Sequence, residues 1–169
     1  MRSIRGIVRC CVAVMALGVL GACSIESRTD RDRDPPVSTR RQIIQPEGVA
    51  RLPVFSSAVR SGDFIFLSGA LGALPGVSPP QLVEGGIEAE TRQTMENIIT
   101  VLAAAGATLE DLIKCTVYLA DIENYAAMNT VYAGYFPTDP PARAAMAGSA
   151  LALGALVEIE CIAAAPERS

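Results

Sequence analysis

The chain contains no histidine and no tryptophan, and Lys114 is its only lysine. The lack of histidine excludes Ser-His-Asp triads, histidine general bases and histidine metal sites within this chain. Acid–base chemistry is therefore left to carboxylate, tyrosine, cysteine or bound water. At 169 residues, half of them apolar, the chain is long enough for one domain with a real core and too short for two.

The N-terminus has the pattern of a bacterial lipoprotein signal peptide. Three arginines precede an apolar run at 10–20, which is shorter than the roughly 20 residues of a transmembrane helix. The run leads into a Leu-Gly-Ala-Cys sequence at 20–23 that resembles a lipobox. We expect removal of residues 1–22, lipidation of Cys23, and a location in the cell envelope. Ser24 favours the periplasmic side of the outer membrane, and an ordinary secretory signal is the alternative.

Residues 23–44 are rich in Ser, Arg, Asp, Thr and Pro and should form a solvated tether. Loss of residues 1–22 leaves 11 basic and 18 acidic residues. A mature chain that acidic is a poor binder of polyanions, so we expect no nucleic-acid partner. The globular domain is predicted to span residues 45–165.

Two of the five cysteines, Cys115 and Cys161, fall within the predicted domain. Both lie in apolar, strand-like segments. An envelope location permits a disulfide bond, but cysteines inside strands more often behave as small buried hydrophobic side chains. We therefore favour free thiols, with a disulfide as the alternative.

The periodicity of the domain predicts an α+β fold, with a single mixed sheet and two helices on one face. The predicted elements are a hairpin of strands at 55–59 and 64–71, a helix at 87–105, a strand at 113–119, a helix after Asp121 that ends before Pro137, and strands at 142–147 and 155–163. In the last strand Glu158 and Glu160 share one face, and both faces are partly apolar. A sheet of this kind commonly covers its second face by oligomerisation.

Arg143 is the only basic residue between Lys114 and Arg168, and its neighbours in the strand are apolar. A guanidinium there can hold a carboxylate in a bidentate fork, or it can form a structural ion pair with Glu158 or Glu160. Spacing alone does not decide between the two.

Glu160 lies in mid-strand, where burial would raise its pKa and suit it to handle water or protons. A partly exposed glutamate or an ion pair is the simpler alternative. Two further candidates are weaker. Asn129 lies on the apolar stripe of the second predicted helix, and a Ser-Gly pair at 68–69 offers a hydroxyl beside accessible backbone.

Short motifs follow one another in a distinctive order along residues 52–164. They lie at 55–59, 67–69, 90–98, 105–111, 124–129, 141–143 and 157–163, with Tyr132 and Phe136 between them. Together they resemble the Rid family of reactive-intermediate deaminases, also known as the YjgF-like or L-PSP family. The resemblance covers essentially the whole predicted domain.

The resemblance implies a chorismate-mutase-like fold and a homotrimer whose sheets form a central barrel, with sites in the clefts between subunits. It also implies hydrolysis of reactive imines and enamines of amino acids to 2-keto acids and ammonia, without a metal or cofactor. The substrate is then a small carboxylate-bearing imine or enamine. The implied site residues are Arg143 for the carboxylate, Glu160 for water, Ser68, Gly69 and Phe55 in the pocket wall, and Asn129 in support.

Three polar groups of the family's most active members are missing here, because Phe55, Ala70 and Ala145 replace a tyrosine, a glutamine and a cysteine. The alternative function is accordingly a non-catalytic trimeric binding module for small carboxylates. A ribonuclease function, which one of the family's names suggests, is disfavoured by the acidic charge and the lack of histidine. Retention of both Arg143 and Glu160 favours the deaminase.

Overall fold

A mixed β-sheet with helices packed on one face forms the domain. Within the described residues, which are 41–49, 53–148 and 150–167 of this computed structural model, the sheet has seven strands and carries two α-helices. The strands are β1 (Gln42–Ile44), β2 (Ala58–Ser61), β3 (Phe64–Leu67), β4 (Ala70–Leu71), β5 (Leu112–Leu119), β6 (Ala142–Ala147) and β7 (Val157–Ala164), and the helices are α1 (Gly86–Ala104) and α2 (Tyr125–Ala133). The predicted α+β fold is confirmed.

The strand order places Arg143 at one edge of the sheet. The order is β1-β2-β3-β7-β5-β6, and β4 also pairs with β7. All pairs are antiparallel except β5 with β6, which run parallel. Since β6 has a neighbour on one side only, five of its six residues are exposed.

α1 covers the sheet through one face. The buried residues of this helix are Glu90, Thr91, Thr94, Met95, Ile98, Val101 and Leu102. They belong to the same core as Val117 of β5 and Ile159 of β7. The helix ends where predicted because Gly106 adopts φ 76°, a left-handed conformation that glycine takes without steric cost.

The two faces of β7 differ as the alternation predicts. The core-facing residues Val157, Ile159, Cys161 and Ala163 are buried. The outer face, which carries Glu158 and Glu160, has no helix over it among the described residues. On this outer face Phe64 and Phe66 are 47% and 46% exposed, which leaves an apolar surface beside the two carboxylates.

A disulfide bond joins Cys115 to Cys161, so the prediction of free thiols is wrong. The two residues are direct partners in the antiparallel register of β5 and β7, and both are buried. Pairing of the strands therefore brings the two sulfur atoms together in the core. Their separation of 46 residues hid this register from the sequence.

The N-terminal predictions fall largely on residues that the structure does not describe. The predicted signal peptide at 1–22, Cys23 and most of the tether lie outside the described residues. The sheet begins at Gln42, inside the segment whose composition predicts tether, because Ile44 is buried and 42–44 pair with β2. In the described part of the chain, no helix combines the length and apolarity needed to cross a membrane.

Candidate active site

Arg143 lies on an aromatic surface that α2 provides. Its Cζ atom is 4.7 Å from the centroid of the Tyr132 ring and 6.0 Å from that of the Tyr125 ring. Its Nη2 donates a hydrogen bond to the Tyr125 hydroxyl at 3.4 Å. The side chain is otherwise exposed, so the guanidinium is oriented by aromatic contacts and retains donors for a ligand.

Asn129 belongs to the same group of side chains, one helical turn after Tyr125 on α2. Its amide and the Arg143 guanidinium together lower the pKa of the Tyr125 phenol, with the hydrogen bond from Asn129 as the largest cause. We call this group the arginine half-site: Arg143, Tyr125, Asn129 and Tyr132. Asn129 is thus near Arg143 through a shared neighbour, Tyr125, and the supporting role that the resemblance implies for it stays a prediction.

Arg143 forms no structural ion pair with Glu158 or Glu160. It is in register with Cys115, which is in turn the partner of Cys161, and both cysteines face the core. Side chains alternate along a strand, so the two glutamates of β7 point to the opposite face of the sheet. The ion-pair alternative for Arg143 therefore fails.

Glu158 lies against the break between β3 and β4. β3 pairs with 162–164 of β7 and β4 pairs with 158–159, and the Ser-Gly pair at 68–69 connects the two. A Cβ atom on Gly69 would collide with the Glu158 carboxylate. Glycine is thus required here so that the carboxylate and the backbone can approach closely.

The two glutamates of β7 have different surroundings. Burial, and then the negative charge of Glu160, raise the pKa of Glu158. Glu160 is exposed and accepts a hydrogen bond from the Tyr118 hydroxyl at 3.1 Å. The environment that the sequence predicted for Glu160, a carboxyl with its pKa raised by burial, is therefore found at Glu158.

Ser68 and Phe55 line two neighbouring cavities. The Ser68 hydroxyl donates to the Ser56 carbonyl at 2.7 Å, which holds the β3–β4 break against the chain before β2. A mainly apolar cavity of about 170 Å³ touches both residues and Gly69, and a second of about 460 Å³ touches both residues and Arg41. We call Glu158, Glu160, Ser68, Gly69 and Phe55 the glutamate half-site.

The structure thus divides the predicted site residues into two half-sites. Arg143 lines neither of the two cavities. Three residues with a place in the half-sites, Glu158, Tyr125 and Tyr132, were not among the candidates from sequence. Glu158 and Glu160 lie on the same face of β7, so alternation along the strand does not distinguish them. The close approach of Gly69 to Glu158 does. Tyr125 was assigned to an apolar stripe, yet it is 40% exposed.

Across the described ranges, no cluster of three His, Cys, Asp or Glu side chains is placed to hold a metal ion.

Comparison with known proteins agrees with the motifs. The chain is 45% identical over 109 residues to a RutC family protein of Pyrococcus horikoshii, covering 64% of this chain and 85% of that protein. It is 43% identical over 124 residues to the 2-iminobutanoate/2-iminopropanoate deaminase of Capra hircus, covering 73% of this chain and 89% of the relative.

Its fold matches the crystal structure of YyfA, a Rid family protein of unknown function from Yersinia pestis. The TM-score is 0.69 at 35% identity, over 74% of this chain and 99% of YyfA. The Endoribonuclease L-PSP family model matches residues 48–165, which is nearly all of the described sheet and both helices. The chain therefore belongs to the Endoribonuclease L-PSP family, which is the Rid family that its motifs resemble.

Proposed function

We propose that this protein hydrolyses reactive imines and enamines of amino acids to 2-keto acids and ammonia in the cell envelope. The oxygen of water bonds to the imine carbon, the carbon–nitrogen bond breaks, and the protons of water leave with the nitrogen as ammonia. Relatives that carry the name 2-iminobutanoate/2-iminopropanoate deaminase are about 40% identical to this chain. The observation that carries the proposal is the exposed Arg143 guanidinium, which no carboxylate of the described residues neutralises.

Arg143 binds the substrate carboxylate in this proposal. Its guanidinium is planar and rests on the Tyr132 ring at 4.7 Å, so few conformations are lost when a carboxylate binds in a two-pronged contact. Fixing the carboxylate also fixes the adjacent imine carbon. Arg143 therefore determines where water must be delivered.

A glutamate of β7 handles the water. The sequence predicts Glu160 for this role, but the surroundings of Glu158 suit it better, because burial raises its pKa and its carboxylate lies against Gly69. A carboxyl whose pKa is raised towards neutrality accepts and returns a proton more effectively than an ordinary one. We therefore propose Glu158 for water, with Glu160 as the neighbouring charge.

The active site is completed by a second copy of the chain. Arg143 and Glu158 point to opposite faces of one sheet, so a single subunit does not bring them together. A homotrimer, which the resemblance implies, would place the arginine half-site of one subunit beside the glutamate half-site of the next. It would also cover the exposed Phe64 and Phe66 of the outer face.

The envelope location rests on two features. The sequence at 20–23 resembles a lipobox, and the core contains a disulfide between Cys115 and Cys161. Disulfides form and persist mainly in oxidising compartments outside the cytosol. We propose that Cys23 carries lipid and anchors the trimer to the outer membrane. Fatty-acid labelling should mark the wild-type protein and leave Cys23→Ser unlabelled, and equal labelling of the two contradicts the anchor.

The activity is tested with imines generated in place by an amino-acid oxidase. The soluble Cys23→Ser chain is added, and the decay of each transient imine is followed against formation of the 2-keto acid. We expect faster hydrolysis with this chain and none above background with Arg143→Ala. The exposed Arg92 of α1 gives the matched control, Arg92→Ala. Keto-acid binding without faster hydrolysis would instead support the non-catalytic binding module.

Assembly is tested by light scattering on the same soluble chain. The expected mass is that of three subunits. A monomer at micromolar concentration contradicts both the trimer and the shared site, because neither face of one subunit holds both half-sites.

A further inference from the structure

The two tyrosines that contact Arg143 differ in the state of their hydroxyl groups. The Tyr132 hydroxyl is buried and has no hydrogen-bond partner among the described residues. The Tyr125 side chain is 40% exposed, and its hydroxyl oxygen is 3.4 Å from Arg143 Nη2. Both rings contact the guanidinium, so the hydroxyl groups are what distinguish the two residues.

The Tyr125 oxygen already accepts a hydrogen bond from Arg143. Arg143 Nη2 has only N–H groups and therefore donates to it. Asn129 interacts with the same oxygen and lowers the pKa of the phenol, as a donor does. The Asn129 Oδ1 atom is buried without a partner among the described residues.

A phenol oxygen that accepts from the guanidinium still has its own O–H to donate. Donation to this oxygen polarises the O–H bond and strengthens it as a donor. The O–H lies at the exposed end of the side chain, next to the Arg143 guanidinium. A ligand oxygen that binds Arg143 is thus within the region that this hydrogen can reach.

We propose that the Tyr125 hydroxyl is a second ligand-binding donor, which together with Arg143 clamps the carboxylate of the substrate. This inference rests on the proposed carboxylate-binding role of Arg143. Asn129, which lies one helical turn after Tyr125 on α2, acts as a positioning residue for the phenol. The arginine half-site then recognises a carboxylate through one cation and one neutral hydroxyl.

The experiment compares two tyrosine variants with the Cys23→Ser chain as reference. Tyr125→Phe removes the proposed donor, and Tyr135→Phe removes a hydroxyl that donates to Glu96, outside both half-sites. Tyr125→Phe keeps the ring and so keeps its contact with the guanidinium. Pyruvate is the probe for calorimetry, and melting temperatures verify that each variant is folded. We expect about tenfold weaker pyruvate binding by Tyr125→Phe, because hydrogen bonds to charged groups are stronger than neutral ones, and unchanged binding by Tyr135→Phe.

A spectroscopic measurement separates direct contact from an effect on Arg143 alone. In protein with 13C-labelled tyrosine, pyruvate should shift the Cζ resonance that is missing from Tyr125→Phe. Absence of that shift, or equal pyruvate affinity in Tyr125→Phe and the reference, overturns the inference while the deaminase proposal stands. Pyruvate binding that depends on Tyr125 without any imine hydrolysis overturns the deaminase and leaves the clamp. Absence of pyruvate binding by the reference chain overturns both.

Discussion

The two half-sites carry opposite charges and lie on opposite faces of one sheet. The arginine half-site is a cation resting on aromatic rings at an exposed sheet edge. The glutamate half-site is a pair of neighbouring carboxylates beside a glycine that lets the backbone approach. The first suits recognition of a ligand anion, and the second suits proton transfer.

This contrast explains why neither half-site neutralises the other. In one subunit the guanidinium is exposed and the Glu158 pKa is raised, whereas an Arg–Glu pair would lower the pKa of that carboxyl. Keeping the charges on separate faces prevents an ion pair between Arg143 and Glu158 within one subunit. A substrate bound between two copies would then meet binding and proton transfer from different chains.

Removal of the Arg143 cation is expected to have the largest effect on binding and activity. Arg143→Ala should abolish activity and weaken carboxylate binding by roughly 2 to 5 kcal/mol, which is the range for loss of a charge-assisted contact. Arg143→Lys should recover little, since an ammonium lacks the planar fork. Pyruvate calorimetry and imine hydrolysis are the measurements.

Thermal melting separates this result from misfolding. Arg143 lies on an exposed edge, so its loss should leave the melting temperature close to that of Arg92→Ala. An Arg143→Ala protein that melts early yet binds and hydrolyses normally contradicts the site assignment.

Loss of the disulfide should affect both half-sites equally, because the bond joins the strands that lie between them. Closing a loop of 46 residues stabilises the folded state by roughly 4 kcal/mol. We expect the double variant Cys115→Ala/Cys161→Ala to melt at a clearly lower temperature with near-normal activity below that transition. Reductant should bring the Cys23→Ser chain to the same melting temperature. If thiol reagents label both cysteines in the denatured chain without reductant, the cysteines are not paired.

The disulfide also marks what the sequence predicts and what it does not. Alternation along β7 correctly assigned its two faces, because a period of two depends only on neighbouring residues. Helical spacing likewise located α1 to within a residue at each end. The partner of Cys161 depends on the register of β5 against β7, which arises from tertiary packing.

The same limit applies to the site. Arg143 was identified by its isolation among apolar residues, which is visible in one segment of sequence. The choice between Glu158 and Glu160 depends on the approach of Gly69 from a distant segment, and the exposure of Tyr125 depends on how α2 lies over β6. Contacts between distant segments were therefore the part that spacing did not reveal.

A comparison of variants of Glu158 and Glu160 tests which carboxylate of the glutamate half-site handles water. Glu158→Gln should slow imine hydrolysis by about a hundredfold or more, as expected when a general base is lost. Glu160→Gln should slow it only a fewfold, because that residue is exposed and bonded to Tyr118. Both should keep pyruvate affinity within a fewfold. The reverse order of rates would restore the assignment of water handling to Glu160.

The smallest expected effect is a shift in the pH dependence of hydrolysis when Glu160 is substituted. It arises because the charge of Glu160 contributes to the pKa of Glu158. Burial and the charge of Glu160 raise the pKa of Glu158. If the ionised form of Glu158 takes the proton from water, activity falls as pH drops through this raised pKa, at a higher pH than for an ordinary glutamate. Glu160→Gln removes one cause and leaves burial, so the acidic limb of the rate profile should move to lower pH without vanishing.

The free energy of unfolding should also depend on the ionisation of Glu158. It should decrease as pH rises, whereas the hydrolysis rate increases. A carboxyl whose pKa is raised on folding binds more protons in the folded state, so stability declines as pH rises from the ordinary pKa of a glutamate through the raised one. Glu158→Gln should flatten this decline, and Glu160→Gln should reduce it. Melting temperatures and hydrolysis rates across the acidic range, measured on the same variants, test both statements. An acidic limb that stays in place in Glu160→Gln means that Glu158 is not the titrating group.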